Sequence, residues 1–309
     1  MQAKSSAVTR GVLPLLVTAV IWGGMFPVAT SILQSMDAFH LTLIRYGITA
    51  LIFAALLRWH EGSAGFATEG RLFSVAALGT LGFAGFSLLV FSGLALSRPE
   101  HAAVIMATMP LLTALLTWAV RGVRPSRLTF GAIGAALAGV LLVVSKGRAD
   151  FLREGSIVGD LMVLAGALCW VAYTMGGASF TTWSALRYTT LTTLAGAVAI
   201  AIATLAAVEL GIAHPTDAAA IAATGWQIVY MIALASVFAV LAWNRGMQVL
   251  GSANGVLFSN FVPITVFAIR AWQGQRYGAP ELLGAVLVIG ALLANNLVPR
   301  LMSQARPSA

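Results

Sequence analysis

The sequence predicts an all-α polytopic membrane protein of ten transmembrane helices, built as two inverted five-helix repeats with both termini cytoplasmic. Three observations carry that expectation. Of 309 residues, 59% are hydrophobic and only 9% charged, with a mean hydropathy of +0.91; a soluble domain of this length needs far more charge at its surface. Ten stretches reach the roughly 20 apolar residues that cross a bilayer. The two halves also share features. Ile44-Arg45-Tyr46 returns as Leu186-Arg187-Tyr188 and Trp22 as Trp170, while Gly93, Pro110 and Gly131 recur as Gly246, Pro263 and Gly284 at a constant offset of 153. In a chain rich in Ala, Gly and Leu, the Arg, Tyr, Trp and Pro matches weigh most. Duplication is the usual architecture of carriers.

The stretches run over about 13–34, 38–57, 72–96, 101–120 and 128–145, then 158–178, 185–208, 225–249, 252–272 and 280–298. The first follows Lys4 and Arg10, but it is too long for a signal-peptide core and holds Pro14 and Pro27, so it reads as a retained helix. The second carries Arg45 about seven residues in, or about 10 Å from its end at 1.5 Å per residue. The third has a thin face at Gly79, Gly82 and Gly85, with Phe83 and Phe86 beside it. In the fourth, Met106 and Met109 precede Pro110; in the fifth, Gly131, Ala135 and Gly139 lie one turn apart, which suits close helix packing. The sixth holds Trp170, Tyr173 and Met175, the seventh opens on Arg187, and the eighth brings Trp243 and Asn244. The ninth sets Phe258, Ser259 and Asn260 before Pro263. This divides the chain into a first repeat (1–145), a connection (146–157), a second repeat (158–298) and a cytoplasmic tail (299–309).

A cytoplasmic N-terminus puts eleven of the 18 Lys and Arg on the inner side and six outside, with Arg45 inside a span. That is the direction of the positive-inside bias, although the connection at 146–153 opposes it. Five spans per repeat is an odd number, so the second repeat enters from the other side. Arg45 and Arg187 therefore occupy mirror positions across the midplane.

Several chemistries find no support. The net charge of +8 lies in connections rather than in a patch, so nucleic acid is not an expected partner. Paired histidines with metal spacing, a phosphate-binding glycine loop and a Ser-His-Asp set are all missing, so no metal, cofactor or enzymatic activity is expected. The lysines Lys4 and Lys146 lie outside the spans, which removes a retinal Schiff base. The lone Cys169 permits no intrachain disulfide. No Asp or Glu falls in the middle of a span and the histidines sit near connections, so carboxylate-based proton coupling is not supported.

The candidate residues are therefore those that a bilayer tolerates only with a reason. An intramembrane arginine is costly; Arg45 either snorkels outward or pairs with Asp37 or a carbonyl, or else acts with Arg187 as a gate latch. Asn244 and Asn260 need polar partners, in another helix or in a substrate. Pro110 and Pro263 each remove a backbone donor at matching positions, which points to a hinge, a midplane site or a packing kink.

Taken in order, Trp22-Gly23, Arg45, Ala242-Trp243-Asn244, Asn260-Phe261-Val262-Pro263 and the glycine-spaced fifth and tenth stretches carry a resemblance. The chain resembles the drug/metabolite transporter superfamily, specifically its EamA-type members, over about residues 12–298. Within that superfamily it looks like the YddG-type exporters. The resemblance implies a cavity between the halves, lined by helices 1, 3, 4, 6, 8 and 9, with helices 5 and 10 peripheral. It places Trp22, Phe86, Met109, Trp170, Asn244 and Asn260 near the substrate, and Tyr173 joins them as an aromatic of the sixth stretch. Many EamA proteins carry a Gly-Glu pair after helix 9; Trp272-Gln273-Gly274-Gln275-Arg276 lacks that glutamate. The expected function is export of aromatic and other neutral amino acids, or related metabolites, across a bacterial inner membrane by alternating access, as a monomer in the lipid bilayer. Proton-coupled export of drugs and a channel are the alternatives.

Overall fold

A computed structural model describes the backbone of residues 2–148, 156–214, 216–250 and 256–304. Every regular element among them is helical. The main helices are α1 (Gln2–Ile32), α2 (Ala38–Glu61), α3 (Leu72–Leu96), α4 (Pro99–Ala107 with Met109–Arg121), α5 (Arg127–Ser145), α6 (Ser156–Gly177), α7 (Ala185–Glu209), α8 (225–250), α9 (Phe261–Trp272) and α10 (Ala279–Gln304). Each of the ten predicted stretches is thus mainly helical over its described residues, with 252–255 of the ninth lying outside them. Seven helices are long and apolar enough to cross a membrane, and α4 is an eighth if its halves, bent by 48°, form one span; the apolar run of α10, Ala279–Asn295, is shorter. Most of the predicted connection 146–157 and the end of the tail lie outside the described residues.

Side chains at the helix starts set several of the boundaries. Asp37 caps α2 by accepting from the amides of Phe39 and His40, both at 2.9 Å, and Ser184 caps α7 by accepting from the Arg187 amide at 2.9 Å. Each satisfies backbone donors that the first turn leaves orphaned.

The halves interlock rather than sit side by side. In the α1–α8 pair, a side chain on Gly11 would meet Leu250 and one on Gly246 would meet Leu15, so the helices run antiparallel. The pair α6–α3 repeats this with roles exchanged: Gly159 meets Gly93, and Gly166 meets Val90. Sequence offsets of 148 (Gly11 to Gly159) and 153 (Gly93 to Gly246) convert one pair into the other. The pairs α2–α7 and α5–α10 map onto themselves; Gly139 with Val288, Val143 with Gly284 and Gly147 with Pro280 again run in opposite directions. A pseudo-two-fold axis in the membrane plane produces this pattern. One detail departs from the sequence reading. Gly139, not Gly131, meets α10, and a side chain on Gly131 would point into open space.

The symmetry extends to backbone irregularities. Thr80–Gly85 in α3 and Tyr230–Phe238 in α8 are π-helical, and the 153 offset carries the first onto 233–238, inside the second. Such bulges rotate the following side chains relative to an ideal helix and gather at functional sites. Pro110 and Pro263 are also equivalent. Pro110 stands in the first turn after the break at Thr108, and Pro263 in the first turn of α9, which follows the 3₁₀ turn Val256–Asn260. Each proline thus stands beside a break and restarts a helix, where its missing N–H costs little.

Candidate functional site

A cavity of about 980 Å³, counting the part that opens to solvent, lies where the halves meet. Its walls come from α1, α2, α3, α4, α6, α8 and α9 with the turn before it, and none of the described side chains of α5 and α10 is among them. Of the residues singled out from sequence, Trp22, Phe86, Met109, Trp170, Pro110 and Arg45 line it. Trp22 faces Trp170 with ring centroids 6.4 Å apart, Trp243 lies 5.1 Å from Trp22, and Phe86 lies 5.0 Å from Trp170. Trp22 is held by its indole N–H, which donates to the Ala235 carbonyl in the π-helical part of α8 at 3.0 Å. The floor is soft and apolar, made by Met25, Phe26 and Met106.

Three expected contacts fall elsewhere. Tyr173 lies behind Trp170, stacked on Tyr188 at 5.3 Å, and its carbonyl accepts from the Tyr188 hydroxyl at 3.0 Å. Asn244 donates to Thr189 Oγ1 at 3.1 Å and ties α8 to α7. Asn260 is buried beside the cavity-lining Ser259, with its Oδ1 unpartnered, but does not itself reach the lining. Trp243, Ser259 and Val262, named in the sequence as span residues or as carriers of the resemblance but not as substrate contacts, also line it, together with Thr113 and Thr174. The two threonines are of a type common in any apolar helix, so sequence offered no signal to select them.

Arg45 differs from its sequence reading. It neither snorkels nor meets Asp37, whose carboxylate binds the α2 amides and the His40 ring. It is 3% exposed, and its Nε donates to Ser236 Oγ at 2.6 Å. The guanidinium also sits 4.8 Å from the Tyr46 ring and 5.4 Å from Phe91. Nη1 has no hydrogen-bond partner.

Exposure along the walls rises toward the face where α1 begins, here the proximal face. Thr174 is exposed and Thr113 and Met247 are half-buried, whereas Met25, Phe26 and Arg45 are buried. The cavity therefore opens proximally. Ion pairs join the halves at both ends. Proximally, Arg187 binds Glu69 at 2.8 Å and the Ala67 carbonyl at 2.6 Å, the Trp183 indole donates to Glu69 at 2.8 Å, and Arg71 donates to Ser179 at 2.9 and 3.0 Å. Glu69 is held below the ordinary carboxylate range, first by the Trp183 hydrogen bond and then by that of Arg187. Arg187, and the aromatic Trp183 4.4 Å beneath it, thus belong to a proximal clamp, and Pro263 is buried in α9 away from the lining.

At the distal face, Arg270 meets Glu100 and Arg98 meets Glu281, both at 3.2 Å, and the Tyr277 hydroxyl donates to Glu100 at 3.0 Å. Burial, and next the Glu100 charge, push the Tyr277 phenol up. His101 and Asp160 sit at helix starts as the sequence indicates, but both are buried, with His101 Nδ1 3.2 Å from Asp160 and a hydrogen bond between Ser97 and Asp160. Among the described residues no group of three or more His, Cys, Asp or Glu could hold a metal ion.

Comparison with known proteins agrees with this architecture. Residues 9–145 and 157–297 each match the EamA-like transporter family. The chain is 36% identical to the uncharacterized transporter YrdR of Bacillus subtilis over 96% of its own length and 94% of the relative's. It is 32% identical to the uncharacterized transporter YyaM of the same organism over 82% and 83%. A solved crystal structure shares the fold with a TM-score of 0.66 at 20% identity, covering 96% of this chain and 99% of that one. With each half matching the same family model, and the repeats interlocked around one cavity, this multi-pass membrane protein belongs to the EamA-like transporter family.

Proposed function

We propose that the protein exports small amphipathic metabolites, neutral amino acids with apolar or aromatic side chains first among them, from the bacterial cytoplasm by alternating access. The observation that carries this reading is the cavity between the inverted halves, walled by the pseudo-equivalent Trp22 and Trp170 and lined by side chains more exposed toward the proximal face. Aromatic and thioether walls suit an apolar cargo body, and a few polar groups orient it. With the N-terminus cytoplasmic, as the positive-inside bias favours, the proximal opening is an inward-facing state and the distal ion pairs are a closed outer gate. Inverted repeats rocking about a fixed site exchange such states. A facilitated or exchange mode is the simpler reading, since no acidic residue is among the described residues of the lining. Proteoliposomes preloaded with unlabelled phenylalanine should take up labelled phenylalanine faster than empty ones, with saturation; non-saturable flux without trans-stimulation would sink the carrier.

A second reading, exchange against protons, draws on the buried His101–Asp160 contact, with His101 Nε2 unpartnered. Exchange that accelerates under an imposed pH gradient, and loses that response in Asp160→Asn, would favour it over the facilitated mode.

A further inference from the structure

We propose that Arg45 is the anion-binding group of the central cavity and that the cargo is a monocarboxylate with an apolar body, its carboxylate seated on the guanidinium. This rests on the transport reading above and specifies its substrate class. A guanidinium is always charged and presents its donors in a fork that matches a carboxylate. Taking that charge out of water is unfavourable unless something compensates it. The protein compensates only in part. Ser236 is a neutral partner, and its own proton is committed to the Met231 carbonyl at 2.8 Å, so it can only accept from Arg45 Nε. That bond spans five residues and belongs to the π-helical turn, which is what brings Ser236 against α2. Two aromatic faces add cation–π attraction. No carboxylate among the described residues forms an ion pair with Arg45, and Nη1 remains unbonded although the side chain is 3% exposed and lines the cavity.

The surroundings define the rest of the ligand. Among the described residues no Asp or Glu lines the cavity, so a cation finds no counter-charge from them. The walls around the guanidinium are rings and methionines, which fit an aryl or branched alkyl body. A polyanion such as a sugar phosphate would need several cations, and the described residues of the lining offer one. An α-amino group is therefore tolerated but not recognised, and the carboxylate supplies the selectivity.

The test uses purified full-length protein and two isosteric probes, phenylpropionate and its neutral amide phenylpropionamide, with binding read by quenching of tryptophan emission. Wild type should prefer the carboxylate by about 10- to 100-fold, the range of a hydrogen bond to a charged group. Arg45→Gln should bind both probes alike. Arg45→Lys should keep a reduced preference, because it retains charge but loses the fork. Ser236→Ala should keep the preference, and it shows that a disturbance around Arg45 alone does not abolish it. Equal binding of the two probes by wild type, or an undiminished preference in a folded Arg45→Gln, would overturn the proposal; if Arg45→Gln does not fold, the wild-type and Arg45→Lys comparisons decide. Exchange of labelled phenylalanine separates the two readings. Carboxylate-selective binding without phenylalanine exchange keeps the Arg45 site and removes amino-acid cargo, whereas phenylalanine exchange that survives in Arg45→Gln keeps that cargo and overturns the site.

Discussion

Trp22 and Trp170, equivalent positions in the two repeats, meet edge to face across the repeat boundary with ring planes at 84°. An edge-to-face pair places the positive ring edge of one indole against the negative face of the other. The two side chains are therefore both a cavity wall and a joint between the halves.

Replacing Trp170 by alanine should reduce exchange by at least about tenfold, because its ring also supports Phe86 at 5.0 Å and Tyr173 at 5.2 Å, and such contacts contribute about 0.5–1.5 kcal/mol each. Trp22→Phe separates ring from hydrogen bond. It keeps an aromatic wall, loses the donor to Ala235, and should lower stability by about 1 kcal/mol while leaving exchange measurable. Thermal unfolding in detergent and proteoliposome exchange check the two effects on the same samples.

Asn244 should behave as a helix tie. Asn244→Leu removes its bond to Thr189 and should lower stability by about 0.6–1.7 kcal/mol, leaving the order of preference among cargoes unchanged. A changed order of preference in a folded variant would return Asn244 to the substrate site.

The α5–α10 contact makes a paired forecast. Gly139→Val drives a branched side chain into the Gly284 carbonyl and Val288, and should destabilise by about 1–3 kcal/mol. Gly131→Ala meets nothing and should be neutral or stabilising by up to about 1 kcal/mol through helix propensity. The difference in unfolding temperature between the two variants is the measurement.

The proximal clamp should depend on pH in one direction only. Glu69 is depressed below its ordinary value of 4.5 by Trp183 and Arg187, so its contribution is complete above the unfolded-state value and disappears as pH falls through the lower folded value. Stability should therefore show no Glu69-dependent change between about pH 5 and 8 and a loss below about pH 4. In Glu69→Gln the acid-side loss should shrink; an unchanged profile would show the clamp carries no such linkage.

Sequence alone determined the ten helical stretches and the duplication. Hydrocarbon offers no partner for backbone polar groups, so a long apolar run in such a chain has one solution, a helix that bonds to itself. The offsets of 148 and 153 are equally legible, and they convert the Gly11–Gly246 contact into Gly159–Gly93. Trp22, Phe86, Met109 and Trp170 were readable as midspan aromatic and sulfur groups, and the resemblance put them on a cavity.

Tertiary structure alone decided which side of each helix faces that cavity. Helices apolar all round carry little amphipathic signal to orient them, so Tyr173 and Trp170, three residues apart, could not be assigned to different surroundings. The π-helical turns decide further, since they change the register that ideal spacing would predict; Ser236 reaches Arg45 from inside one. An arginine that the sequence left between snorkelling, pairing with Asp37 or a carbonyl, and a gate latch is thereby a buried, half-satisfied cation in the cavity wall. Its meaning depends on what other helices place around it, and no local stretch of sequence contains that.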